Sequence, residues 1–240
     1  MGFLQFSGQD LFDGKQFLGP SQVLITDETG RVEAILPRSE AGEEIREVPG
    51  IVSPGFVNAH CHLELSHMKG RIPEHTGLPE FILKIVSERH HPEEEILAAI
   101  ASAEAHMIEQ GIVAVGDISN NYLTAAQKAM RNLAYYTFVE ISGWKPEIAE
   151  PRFSNAQKVM EQFRGITTAA SIKSPQISTN PLQTSYSPHA PYSVSRELWE
   201  MMMPHFEGNT VTIHNQETPA ENELFRKGSG AFVQMYQAMN

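Results

Sequence analysis

A chain of 240 residues can bury one sizeable core and leaves both a single α/β barrel and a two-domain arrangement open. Its 18 basic and 29 acidic side chains give a formal net charge of −11, which repels a polyanion such as nucleic acid and leaves small molecules as the expected partners. A lone cysteine, Cys61, excludes an internal disulfide and a multi-thiolate zinc site, including the pattern that pairs H-x-E with P-C-x-x-C, while ten histidines direct any metal site toward imidazole and carboxylate ligands.

The opening MGFLQFSGQD lacks the basic start and long apolar core of a secretory signal, and Phe6 stands where a myristoylation signal requires Ser or Thr. No apolar run approaches the roughly 20 residues of a membrane helix, so a cytoplasmic protein without membrane contact is expected. Residues 1–50 read as short strands and turns. In SQVLITDETGRVEAILP two apolar runs flank the turn Asp27-Glu28-Thr29-Gly30, a hairpin pattern that predicts a small β domain.

From Gly50 onward apolar runs alternate with helical patterns, which predicts β/α units and a parallel sheet over 51–240. The expected strands are Gly55 to His62, Ile112 to Ile118, Leu133 to Ile141, Thr184 to His189 and Thr210 to His214. Expected helices run from Leu78 to Arg89, Pro92 to Gln110 with Gly111 as C-cap, Leu123 to Asn132, Ser154 to Lys173 and Ser195 to His205. Long loops are predicted at Ser66 to Glu80 and Ser174 to Ser185. A complete eight-stranded barrel takes about 250 residues, so only five units fit beside the first domain. The last residues, GAFVQMYQAMN, stop inside an amphipathic pattern, and a truncated chain is expected.

The stretch PGFVNAHCHLELSH carries the first chemical signal. Side chains alternate along a strand, so His60 and His62 project to one face and can share a metal ion, while Cys61 points to the other. An H-x-H pair alone is a weak signal in a chain with ten histidines. Its position at a strand end strengthens it, because β/α barrels place their chemistry there. His214 closes another apolar strand and is followed by Glu217, and His189 ends a third. Neutral imidazoles bind zinc at about 2.0–2.1 Å, and a site with three protein ligands keeps a position for water, whose pKa can fall to about 7. A carboxylate just past the last ligand, Glu217, can move a proton between that water and a substrate.

The ordered segments PGFVNAHCHLE, SPHAPYSVS and IHNQETPAENE resemble the amidohydrolase superfamily, in its branch of aminohydrolases and chlorohydrolases acting on purine-like and triazine rings. The resemblance implies a metal-dependent hydrolase (β/α) barrel, here truncated after about five units, with a small N-terminal β-sandwich portion. It further implies one Zn2+ per chain, or alternatively Fe2+, held by His60, His62 and His214, with Glu217 as proton shuttle and His189 beside the substrate. A homodimer is a family-based expectation. The family's polarising histidine and acidic metal ligand on later strands have no counterpart here, so the chain is expected to be inactive alone.

Other residues keep two readings. Glu64 shares the face of His62 if the strand persists, which permits a substrate contact, and packing or capping fits equally. Glu217 can also favour the positive end of the following helix. His189 can serve the rigid turn Pro188 to Pro191. Asp117 reads as a capping or supporting group, Cys61 as a small buried hydrophobe, Glu221 and Glu223 as a solvated helix face, and His67, His75, His90 and His91 as surface residues.

The expected activity is hydrolytic deamination of a purine-like or adenosine-derived heterocycle such as aminodeoxyfutalosine. Metal-bound hydroxide would be the nucleophile, Glu217 the proton carrier and His189 the group orienting the ring. A chlorohydrolase or guanine-type deaminase would use the same site. An inactive fragment or metal-binding module is the alternative of another class.

Overall fold

A computed structural model describes residues 2–166 and 183–239 of the chain. The N-terminal part folds around β1 (Phe3–Ser7), β2 (Asp10–Leu11), β3 (Gln22–Asp27), β4 (Val32–Pro37), β5 (Ile45–Glu47) and β6 (Ile51–Val52). One sheet has the order β4-β3-β1-β5, and β2 pairs with β6 in a separate two-stranded sheet. The predicted hairpin is β3 and β4. Its turn is organised by Asp27, whose Oδ1 accepts from the Thr29 and Arg31 backbone N–H groups at 2.8 and 3.0 Å, as Asp side chains do in tight turns.

The second part is built on four parallel strands, β7 (Phe56–Cys61), β8 (Ile112–Ser119), β9 (Ala134–Ile141) and β10 (Gln183–Pro188), in the order β10-β9-β8-β7. Helices α1 (Leu78–Glu88) and α2 (Glu93–Glu109) connect β7 to β8. Helix α3 (Ala125–Ala129) leads to β9, α4 (Ala149–Arg164) follows it, and α5 (Arg196–Met202), α6 (Pro219–Lys227) and α7 (Ala231–Ala238) come after β10.

Two apolar clusters hold helices to the sheet. Leu63, Ile96, Ile100, Met107, Val115, Leu133 and Tyr135 pack α2 onto β8 and β9. Val139, Ile141, Val159, Met160, Phe163, Tyr186, Leu198 and Met202 pack α4 and α5 onto β9 and β10. Each fully buried Leu, Ile, Val, Phe or Met contributes about 1.5–3 kcal/mol of burial free energy. A third cluster, with Ala190, Tyr192, Phe232 and Met235 at its centre and Leu78, Ile82 and Leu83 against it, ties α1 and α7 to the turn after β10.

The structure corrects several expectations. Among the described residues the strands form an open sheet with no barrel closure. The expected fifth strand, 210–214, forms no ladder. It runs beside β10, but serine hydroxyls take up its backbone groups: Ser185 Oγ donates to the Thr210 carbonyl at 2.6 Å and Ser187 Oγ accepts from the Thr212 N–H at 3.2 Å. Helix α4 starts five residues before Ser154, because Pro151 falls in its first turn, where no N–H is needed. Helix α3 is shorter than expected and is followed at Arg131 by a left-handed residue, φ 53°. A 3-10 helix, Leu63–Met68, follows β7 and takes in the first three residues of the loop predicted at Ser66 to Glu80. Residues 167–173 of the predicted fourth helix and 174–182 of the predicted loop lie outside the described residues.

Candidate metal centre

The C-terminal ends of β7, β9 and β10 meet the 210–214 segment at one place. β7 carries His60, and His62 is the first residue past its end. His214 is seated by its own backbone, whose N–H donates to the His189 carbonyl at 2.9 Å, while the His189 N–H reaches back to the Ile141 carbonyl at 3.1 Å. One ring nitrogen from each of His60, His62 and His214 lies within 4.8 Å of the others. The His60 ring centroid is 4.6 Å from that of His214 and 5.3 Å from that of His62.

Glu217 closes on this trio. Its Oε1 lies 2.5 Å from His214 Nδ1, so a proton on Nδ1 leaves His214 Nε2 with its lone pair. The chain reaches this geometry through Gln216, which sits at φ 58°, and through Glu221, whose carboxylate accepts the N–H groups of Gln216, Glu217 and Thr218 at 3.1, 2.6 and 3.1 Å. Glu221 is therefore a buried organiser of the loop, not part of a solvated helix face. At the third position of α6, reaching back to the Thr218 N–H before the helix, it fills the acidic half of a capping box.

His189 stands beside the trio, its ring centroid 5.2 Å from that of His214, with Nδ1 2.6 Å from Ser193 Oγ. Glu140, the penultimate residue of β9, joins His189 and His214 in a second group of ligand-capable atoms within 4.8 Å. Its Oε2 accepts from Asn120 Nδ2 at 3.0 Å. Sequence reasoning missed Glu140. The signal was an acidic residue next to the end of the apolar run LAYYTFVEI.

Glu64 lies apart from the trio but on the lining of the same cavity. The strand alternation ends at Cys61, and Glu64 falls on the 3-10 helix, fully buried. Its Oε1 accepts from Arg89 at 2.9 Å and its Oε2 from the Asn120 and Asn121 backbone N–H groups at 3.0 and 3.1 Å. Burial still pushes its carboxyl up to about 7, with Arg89 and the two amides opposing. Cys61 is half-buried, and its thiol is raised to about 12, chiefly by that loss of solvent. Of the other histidines, His67 engages the Arg89 carbonyl at 3.0 Å and packs edge-on against His91, apart from the trio.

The trio suits a divalent ion. Burial lowers the pKa of His60 and brings His62 down to about 4, so neutral imidazoles face one another. Ligating imidazoles must be neutral. His62 Nδ1 is buried without a hydrogen-bond partner among the described residues, an uncommon state for a polar atom unless something else engages it. All-imidazole donors favour zinc, iron, copper or nickel over magnesium or calcium. The trio opens into a cavity of about 1650 Å³ whose lining also includes Phe81 and Ile82 of α1 and the stacked rings of Trp144 and Tyr236. That volume and its aromatic wall can take a flat heterocycle with a further substituent.

Residues 51–237 match the model of the amidohydrolase family. The chain is similar to the aminodeoxyfutalosine deaminase of Deinococcus radiodurans, 28% identical over 187 residues that make up 75% of this chain and 40% of that protein. Its fold resembles the aminofutalosine deaminase of Helicobacter pylori in complex with methylthio-coformycin, with a TM-score of 0.72, 18% identity and coverage of 98% of this chain and 56% of that one. A zinc-bound adenosine deaminase from Xanthomonas campestris matches with a TM-score of 0.56, 17% identity and coverage of 98% and 54%. The chain thus spans about half the length of the proteins it resembles.

Proposed function

Because this chain belongs to the amidohydrolase family, we propose that it serves a metal-dependent hydrolytic deaminase of an adenosine-derived substrate such as aminodeoxyfutalosine. The observation that carries this reading is the imidazole trio with Glu217 2.5 Å from its third member. His60, His62 and His214 would hold one Zn2+, with Fe2+ as the alternative. A bound divalent ion of this kind supplies a Lewis acid that brings the pKa of water to about 7.

The chain's own residues do the remaining work. Glu217 takes a proton from water, delivers it to the ring nitrogen and then assists the departure of ammonia. His189, held neutral because burial lowers it to about 4, has Nδ1 engaged with Ser193 and so presents Nε2 to the heterocycle. Trp144 and Tyr236 offer an aromatic wall for the rest of the substrate. Within this reading, residues 1–50 are the N-terminal part of a small β-sandwich and 51–240 the first part of the catalytic barrel, and the molecule works as a homodimer.

A metal-binding module is the second reading, because the family's polarising histidine and acidic metal ligand have no counterpart in this sequence. Ammonia release from aminodeoxyfutalosine, methylthioadenosine and guanine, with chloride release from a chlorotriazine, separates the possibilities when assayed on a zinc- or iron-loaded protein that joins this chain to the family's later strands, since the chain by itself is expected to be inactive. The expected result is ammonia from an adenosine-derived member. Release from guanine or the chlorotriazine alone would move the substrate class, and metal uptake without any turnover would favour the module.

A further inference from the structure

We infer that the buried Asp117–Lys128 pair is a positioning device for the imidazole of His62, an inference that rests on the metal reading above. Lys128 Nζ lies 2.6 Å from Asp117 Oδ2, and both side chains are completely enclosed. A pair at that depth survives only if its remaining polar directions are filled. Lys128 also donates to Thr137 Oγ1 at 2.9 Å and Ser119 Oγ at 3.2 Å, and packs 4.4 Å from the centre of the Phe163 ring. Asp117 Oδ2 accepts a further bond from Ser119 Oγ at 3.0 Å. The knot joins α3 to β8 and β9.

One acceptor is used differently. Asp117 Oδ1 accepts the backbone N–H of Leu63 at 2.9 Å, and that N–H belongs to the peptide linking His62 to Leu63. His62 sits between β7 and the 3-10 helix with φ −105° and ψ 76°, neither extended nor helical. The last ladder pair of β7, Cys61 with Asp117, fixes the chain just before it. Beyond that, the rotation ψ at His62 turns the next peptide plane, and the bond to Asp117 holds that plane. Both neighbours of His62 are thus anchored to the same residue of β8, which sets the direction in which the imidazole leaves the backbone toward His60 and His214. The ammonium of Lys128 balances the Asp117 carboxylate at this depth, and a charged oxygen is the stronger acceptor for the Leu63 N–H.

A purely structural pair and a positioning pair respond differently to substitution. Replacing a buried ion pair by apolar side chains of similar size leaves folds intact in many cases, so Asp117→Leu with Lys128→Met tests the acceptor without leaving an orphan charge. Asp117→Asn with Lys128→Met retains an oxygen for the Leu63 N–H. Co2+ affinity by chelator competition, the visible Co2+ spectrum and thermal unfolding of the metal-free chains are the readouts. The Leu/Met variant is expected to bind Co2+ about 10–100-fold more weakly with an altered spectrum, and the Asn/Met variant within about threefold of the unsubstituted chain. Should the Leu/Met variant not fold, Asp117→Glu, which keeps the ion pair but displaces the acceptor oxygen, carries the same expected loss. Equal affinity and spectra across the folded variants would overturn the inference. An unsubstituted chain that takes up no Co2+ would overturn the metal reading and this inference with it, a distinguishable outcome.

Discussion

Burial sets the protonation of this site. The imidazoles of His62 and His189 are brought from the ordinary 6.5 down to about 4, so the folded chain refuses protons that the unfolded chain accepts below pH 6.5. For these two groups the unfolded state binds more protons, and they outweigh Glu64, whose carboxyl, raised to about 7, acts in the opposite sense; stability therefore falls as the pH drops from about 6.5 toward 4, each group contributing roughly 1.4 kcal/mol per pH unit crossed. The melting temperature of the metal-free chain should decline through that window, and His189→Gln should lessen the decline; a flat profile would contradict this. In a protein that joins this chain to the family's later strands, Glu217→Gln should retain the metal and slow ammonia release by about 10²–10⁴-fold at saturating substrate, because the amide keeps the contact with His214 but cannot take up and release a proton. At this scale the imidazoles were legible, since H-x-H at a strand end has a geometric meaning. Glu140 was not, and the sequence did not decide between the two readings that Glu64 kept. A single acidic residue carries no period, and the end of β7 at Cys61 depends on the buried Asp117 bond, which local pattern does not show.

The strands that carry the ligands are held at close quarters by Gly116. A Cβ there would lie 2.4 Å from the Ala59 carbonyl oxygen, backbone of β7 directly before His60. Gly116→Ala should therefore cost about 1–3 kcal/mol in stability and weaken metal binding, because β7 must move away and takes His60 with it. Calorimetric unfolding alongside a metal titration checks both; an unchanged metal affinity would place the strain elsewhere. Elements were readable where an apolar run was bounded by turn residues, and the predicted limits of β8 and β9 fall within a residue of those observed. The 210–214 run has the same apolar character as a strand, yet its pairing is decided by Ser185 and Ser187 on the neighbouring strand. Its own sequence holds no sign of them.

Across the molecule, among the described residues β7 ends the parallel sheet as an edge strand and exposes Phe56 at 62% and Val57 at 65%, with Val113 of β8 at 50%. An apolar edge of this kind pairs readily with another chain. The protein should self-associate with rising concentration in light scattering, and Val57→Lys should reduce that association without changing the circular dichroism; a monomer at all concentrations would contradict the expectation. The α/β alternation was legible because each unit is local. Whether the sheet closes depends on pairing between strands far apart in the chain, which periodicity does not encode. The central claim is that His60, His62 and His214 hold one ion, and X-ray absorption on the zinc-loaded chain with metal stoichiometry tests it most directly. The account predicts one zinc per chain with nitrogen ligands at about 2.0–2.1 Å, lost in His60→Ala and in His214→Ala but kept in His67→Ala. Undiminished zinc in the first two variants, or none in the unsubstituted chain, would contradict it.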